Sequence, residues 1–146
     1  MNDTFEKFLT KQTGYKSNKC KCNECRKQCR TPCLGTPDDI LRLIGEGYIS
    51  QLSETLWCVG MLTGHLKEPV RMVQPTKMEN GCIFFKDGLC ELHDLGLKPT
   101  EGRFSNHAIP KRKQKVSNML SWNVAMEWLA VKNRPTILKI FLLMPN

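Results

Sequence analysis

Five of the eight cysteines lie within fourteen residues, spaced Cys20-x-Cys22-x2-Cys25-x3-Cys29-x3-Cys33, and a second pair, Cys82 and Cys90, follows about fifty residues later. Thiolates are soft ligands, and four of them in a tetrahedron, with metal–sulfur distances near about 2.3 Å, suit zinc. The C-x2-C step from Cys22 to Cys25 brings two thiolates within reach of one ion. Cys25 and Cys29 share a face if the segment turns helically, and Pro32 biases its predecessor, Thr31, away from helix, so that the chain bends before Cys33. The distant pair Cys82 and Cys90 can close the coordination sphere, and a metal that ties such segments together acquires a folding role. The expected ligands are therefore Cys20, Cys22, Cys25, Cys29, Cys33, Cys82 and Cys90, more than one tetrahedral site needs, so that some are spare or a second ion binds. Iron, or an Fe–S cluster, uses the same thiolates. A disulfide framework or inert buried thiols remain the alternatives.

The surrounding charges favour thiolate over thiol. Between Lys16 and Arg30 stand six basic residues and one acid, Glu24, and nearby cations stabilise the ionised sulfur. Cys58, alone beside Trp57, reads as a small hydrophobe. Of the three histidines, His93 stands three residues after Cys90 and His107 lies in a polar stretch, so either could add a ligand; His65 reads as loop. The run Lys111-Arg112-Lys113-Gln114-Lys115, in a chain with 22 basic against 14 acidic residues and a formal net charge of +8, could meet a phosphate backbone. No RRM-like basic strand interleaved with aromatics accompanies it. There is no Gly-rich phosphate loop, G-x-S-x-G or H-E-x-x-H, so catalysis finds no support.

These residues need a scaffold, and 146 residues at 40% hydrophobic and 25% charged suffice for one globular domain with a real core. The boundaries expected are an N-terminal segment, residues 1–19, and a single Cys-rich domain, residues 20–146. No secretory signal opens the chain, and the longest apolar stretch, Ile137 to Met144, is interrupted by Lys139 and falls well short of the roughly 20 residues of a membrane span. The expectation is a cytoplasmic protein without a membrane partner, whose cysteines serve metal rather than disulfides.

The elements expected are mostly helical. Phe5, Phe8 and Leu9 share a face of a short N-terminal helix. Thr36 caps the helix of LGTPDDILRLIGEG, with Pro37 at its first position, Asp38 and Asp39 complementing the dipole, and Gly45 or Gly47 ending it. A short helix is expected around Ser50 to Trp57, and a strand at VRMVQP. A hairpin turning at Asp87-Gly88 should carry Cys82 and Cys90 on its two arms. Lys115 to Asn133 reads as one long, mostly buried helix ended by Pro135, followed by an apolar tail docked on the core. The fold class is thus α+β, mainly helical: a small single domain with a Cys-rich metal site and one short β-hairpin.

The cysteine cluster, GTPDDILRLI and GCIFFKDGLCELHDLGLKPTEGR together resemble the YkgJ-type family of zinc- or iron-chelating proteins, also called the CxxCxxCC family. The likeness spans about Cys20 to Arg103. That family has a cysteine cluster, a T-x-x-D-I helix, a C-x-F-x-x-x-G-x-C hairpin and a segment like R-P-x-x-C-R. Here Lys98-Pro99-Thr100-Glu101-Gly102-Arg103 stands at the last motif. The chain departs from the pattern twice: no two cysteines are adjacent, and Gly102 occupies the place of the last cysteine, whose role His93 or His107 could take. The resemblance implies metal chelation through the two cysteine groups.

Overall fold

The computed structural model describes residues 3–17, 31–105 and 115–145. The helices are α1 (Asp3–Thr13), α2 (Pro37–Gly45), the single turn α3 (Val59–Leu62), α4 (Thr100–Phe104), α5 (Leu120–Met126) and α6 (Arg134–Leu143). Three antiparallel strand pairs accompany them: β1 (Leu52–Trp57) with β2 (Val70–Pro75), β3 (Lys77–Met78) with β4 (Gly81–Cys82), and β5 (Phe85–Lys86) with β6 (Leu89–Cys90). The class is α+β and mainly helical, as the sequence implies, with three strand pairs among the described residues in place of one hairpin.

The start of α2 shows how local sequence fixes the backbone. Thr36 Oγ1 accepts from Asp39 N at 3.2 Å while Asp39 Oδ2 accepts from Thr36 N at 2.9 Å, a reciprocal capping box that satisfies two otherwise orphaned donors. Pro37 opens the helix without wasting a donor. Ile40 and Leu43 are fully buried, and the helix stops where Gly47 adopts φ +93°, a left-handed conformation that favours glycine.

Ile49–Gln51 forms one 3₁₀ turn, but Leu52–Trp57 is strand rather than the helix expected there. From Ser53 to Trp57 burial alternates with period two: Glu54 and Leu56 face out while Ser53, Thr55 and Trp57 face in. Pairing with β2, Leu52 opposite Pro75 and Trp57 opposite Val70, decides the conformation that local propensity left open.

The long helix expected over Lys115 to Asn133 is broken. A 3₁₀ turn (Val116–Asn118), α5 and a second 3₁₀ turn (Val131–Asn133) replace it. Two asparagines supply the physical reason. Asn123 Nδ2 donates to the carbonyls of Ser117 and Met119, and Asn133 Nδ2 donates to that of Glu127, so side chains compete for backbone groups that a continuous helix would use. Pro135 lies in the first turn of α6 instead of ending its predecessor. Leu129 and Val131, expected on a buried face, are exposed.

The main core joins Ile40 and Leu43 of α2 to Val70, Met72 and Val73 of β2, Phe84, Leu92, Val124, Trp128 and Ile140. A smaller core packs Phe5 and Leu9 of α1 against Phe104 and Leu120. Between them lies a buried polar network. Asp39 Oδ2 accepts from Thr100 N at 2.8 Å and Thr100 Oγ1 at 2.5 Å. Arg103 Nη2 stands 3.7 Å from Asp39 Oδ1, and Arg103 Nη1 is hydrogen-bonded to Glu6 Oε1. A cavity of about 470 Å³ opens above this network.

Asp39→Asn keeps the shape but turns acceptor into donor against donors already in place. It should lower the unfolding free energy by about 2–4 kcal/mol, against about 1 kcal/mol for Thr36→Ala. Urea denaturation of the two variants measures both.

Candidate metal centre

Three of the seven expected ligands fall among the described residues, and all three are buried: Cys33, Cys82 and Cys90. Cys33 lies in the extended segment before α2. Its neighbour Leu34 is clamped to α4 from both sides, Leu34 N donating to Glu101 Oε1 at 2.9 Å and Glu101 N donating to Leu34 O at 3.0 Å. The clamp draws the chains so close that a Cβ at position 102 would stand 2.7 Å from Cys33 Sγ and 2.9 Å from Lys98 Cε. Position 102 can therefore hold only glycine without displacing the thiol.

Cys82 and Cys90 do not sit on the two arms of one hairpin, as the sequence led us to expect. Cys82 belongs to β4 and pairs with Lys77, whereas Cys90 belongs to β6 and pairs with Phe85. Asp87 and Gly88, with φ of 53° and 77°, do form the β5–β6 turn. Each dipeptide ladder is lengthened by one bond, Ile83 N donating to Thr76 O at 2.9 Å beside β3–β4 and Glu91 N donating to Phe84 O at 2.8 Å beside β5–β6.

The thiols are linked electrostatically, Cys82 and Cys90 acting on Cys33 and Cys90 acting on Cys82. Burial pushes the Cys33 thiol up, Glu101, Cys90 and Cys82 push it further, and Lys98 opposes them. Cys82 is raised by burial and then by Cys90 and Glu91, against a lowering hydrogen bond from the Phe84 backbone. Burial likewise raises Glu101, against the Leu34 N–H. Desolvation disfavours each charged form. Among the described residues, no group of three or more His, Cys, Asp or Glu side chains is arranged to hold a metal ion.

Cys20, Cys22, Cys25, Cys29, His107 and residues 111–114 of the basic run lie outside the described residues. The described structure resumes after the cysteine run at Thr31 and stops before His107 at Ser105. These two residues line one cavity of about 360 Å³ together with Cys33, Glu101, Trp57 and Ser121. His93 is buried in the 3₁₀ turn that follows β6. His65 is exposed, its Nδ1 2.9 Å from Thr63 Oγ1, and Cys58 is half-buried with its thiol donating to Leu56 O at 3.6 Å.

Sequence reasoning missed Lys98 and Glu101 as neighbours of the thiols, and Asp39 and Arg103 as the groups that place them. The T-x-x-D box signals only the Asp39–Thr36 half of this arrangement; its long-range half has no local signature. No family model, curated protein or solved structure matches the chain. No helix among the described residues is long and apolar enough to cross a membrane.

Two outcomes follow. Gly102→Ala should destabilise the protein by about 1–3 kcal/mol through overpacking against Cys33, measurable by thermal and urea unfolding. In metal-free protein, alkylation with peptide mapping should modify half-buried Cys58 well before Cys33, Cys82 or Cys90, because thiolate character and exposure set the rate.

Proposed function

We propose that this chain is a cytoplasmic metal-binding protein that chelates zinc, or alternatively iron, through cysteine thiolates. In this reading Cys33, Cys82 and Cys90 form one side of the centre, and ligands from Cys20, Cys22, Cys25 and Cys29 complete it. The observation that supports the reading is that the three described members of the two cysteine groups are all buried, with the charges of Cys90 and Cys82 acting on Cys33. Burial raises the Cys33 and Cys82 thiols, a cost that a divalent cation would relieve, since a coordinating thiol is deprotonated outright.

A second observation supports it. Two of the motifs behind the family resemblance meet in space: Asp39 of the T-x-x-D-I helix binds Thr100 and faces Arg103 of the segment that stands for R-P-x-x-C-R. The position equivalent to that segment's cysteine, Gly102, lies against Cys33. In a chain built on the same plan, a cysteine there would be a neighbour of this thiol.

Elemental analysis and absorption spectroscopy of untagged, anaerobically purified protein test the proposal. Zinc at whole-number stoichiometry without a visible band is the expected result; iron with visible absorption would assign a redox or cluster role. Metal-free protein that fails to take up zinc or cobalt, with all eight thiols open to alkylation after unfolding, would overturn the reading. Cys33→Ala and Cys90→Ala should each weaken cobalt binding by more than about 100-fold, beyond the 10–100-fold typical of outer-shell partners. Cys58→Ala should leave the thiolate-to-cobalt charge-transfer bands unchanged.

A further inference from the structure

Helix α6 is apolar on more sides than the fold covers. Ile140 and, just past the helix, Met144 are buried in the main core, and Phe141 is roofed by the guanidinium of Arg71 at 4.3 Å from its centroid. On the opposite side Leu138 and Leu142 are 63% and 76% exposed. Four residues apart, they stand one above the other, and Pro135 falls on the same stripe. Val131, in the turn that leads into the helix, is 68% exposed. Within the helix Pro135, Leu138 and Leu142 are spaced three and four apart, the interval of a helix–helix seam. A helix apolar all round is one that is meant to be buried.

The flanks of the stripe state what kind of partner fits. Arg134 borders it on one side and Lys139 on the other, both exposed, and from Arg134 to Asn146 the chain has no acidic residue. Lys132 beside them is paired with Glu127 at 3.4 Å. A second copy docking through this seam would set Arg134 and Lys139 against their own kind, and like charges across an interface disfavour that pairing. We propose that the exposed face of α6 docks an amphipathic helix of a partner protein, apolar along its own seam and acidic on both flanks.

The test uses the full-length protein and two synthetic four-heptad peptides, both with Leu at the a and d positions, one with Glu and the other with Lys at e and g. Calorimetry or fluorescence anisotropy should show the Glu peptide binding at least about tenfold more tightly than the Lys peptide, with an affinity that falls as salt rises. Leu138→Gln/Leu142→Gln, at exposed positions that do not threaten folding, should abolish binding. Arg134→Glu/Lys139→Glu should reverse the preference between the peptides. Equal binding of both peptides, binding that survives the leucine substitutions, or binding of neither peptide would overturn the proposal. So would Leu138- and Leu142-dependent self-association in sedimentation, which assigns the face to a second copy. Leu138- and Leu142-dependent capture by phosphatidylserine vesicles without peptide binding assigns it to a membrane surface and overturns it equally.

Discussion

The carboxylate of Asp39 organises the half of the molecule that carries Cys33. One buried oxygen, Oδ2, accepts from the Thr36 backbone, the Thr100 backbone and the Thr100 hydroxyl, while Oδ1 faces Arg103. A buried carboxylate is costly unless its lone pairs are used, and a fully used one tolerates very few arrangements of its donors. Asp39 thereby fixes where α2 begins and where α4 lies against it. The closeness of the fit shows at Gly35, where a Cβ would stand 3.0 Å from that of Asp39 and 3.2 Å from that of Pro99. Arg103 extends the same network to Glu6, and so brings α1 and the smaller core into register with the larger one.

The short helix α4 then serves two partners at once. Thr100 and Arg103 turn to Asp39, whereas Glu101 and Gly102 turn to the segment of Cys33 and Leu34. Position and distance of the Cys33 thiol therefore depend on a carboxylate that is no part of the proposed centre. An interaction with no metal-binding chemistry of its own sets the first coordinate of the site. The second coordinate comes from the chain of small turns between Thr76 and Leu92, in which β3–β4 and β5–β6 carry Cys82 and Cys90 on different ladders. Neither dipeptide ladder has enough pairing to stand alone, and both are anchored by Phe84 and Leu92, which are fully buried in the main core.

What the sequence made legible follows from range. The α2 cap, its Pro37 start and its glycine stop are local, with each residue acting within four positions of itself, and they were readable from Thr36 to Gly47. The Asp87-Gly88 turn was readable for the same reason. Strand β1 was not, because Leu52 to Trp57 is strand only by virtue of β2 some fifteen residues on. The break in the expected long helix was hidden in the ordinary residues Asn123 and Asn133, whose side chains choose backbone carbonyls only once the surroundings are packed. At the site, residue type and spacing pointed to Cys33, Cys82 and Cys90. They could not supply Lys98 and Glu101, which reach the thiols through a fold of the chain that no periodicity encodes.

The three thiols differ in their surroundings. Cysteine is a good small hydrophobe, and burial alone would account for raised thiols that never ionise. A hydrophobe is placed where its neighbours are apolar, and Cys82 and Cys90 lie in such places, in the main core with Ile40, Leu43, Met72, Val73 and Phe84. Cys33 lies instead between Glu101 and the buried Lys98, within the influence of two further thiols, with a glycine held against its sulfur. In the proposed centre a cation would supply the opposing charge that Lys98 provides only in part.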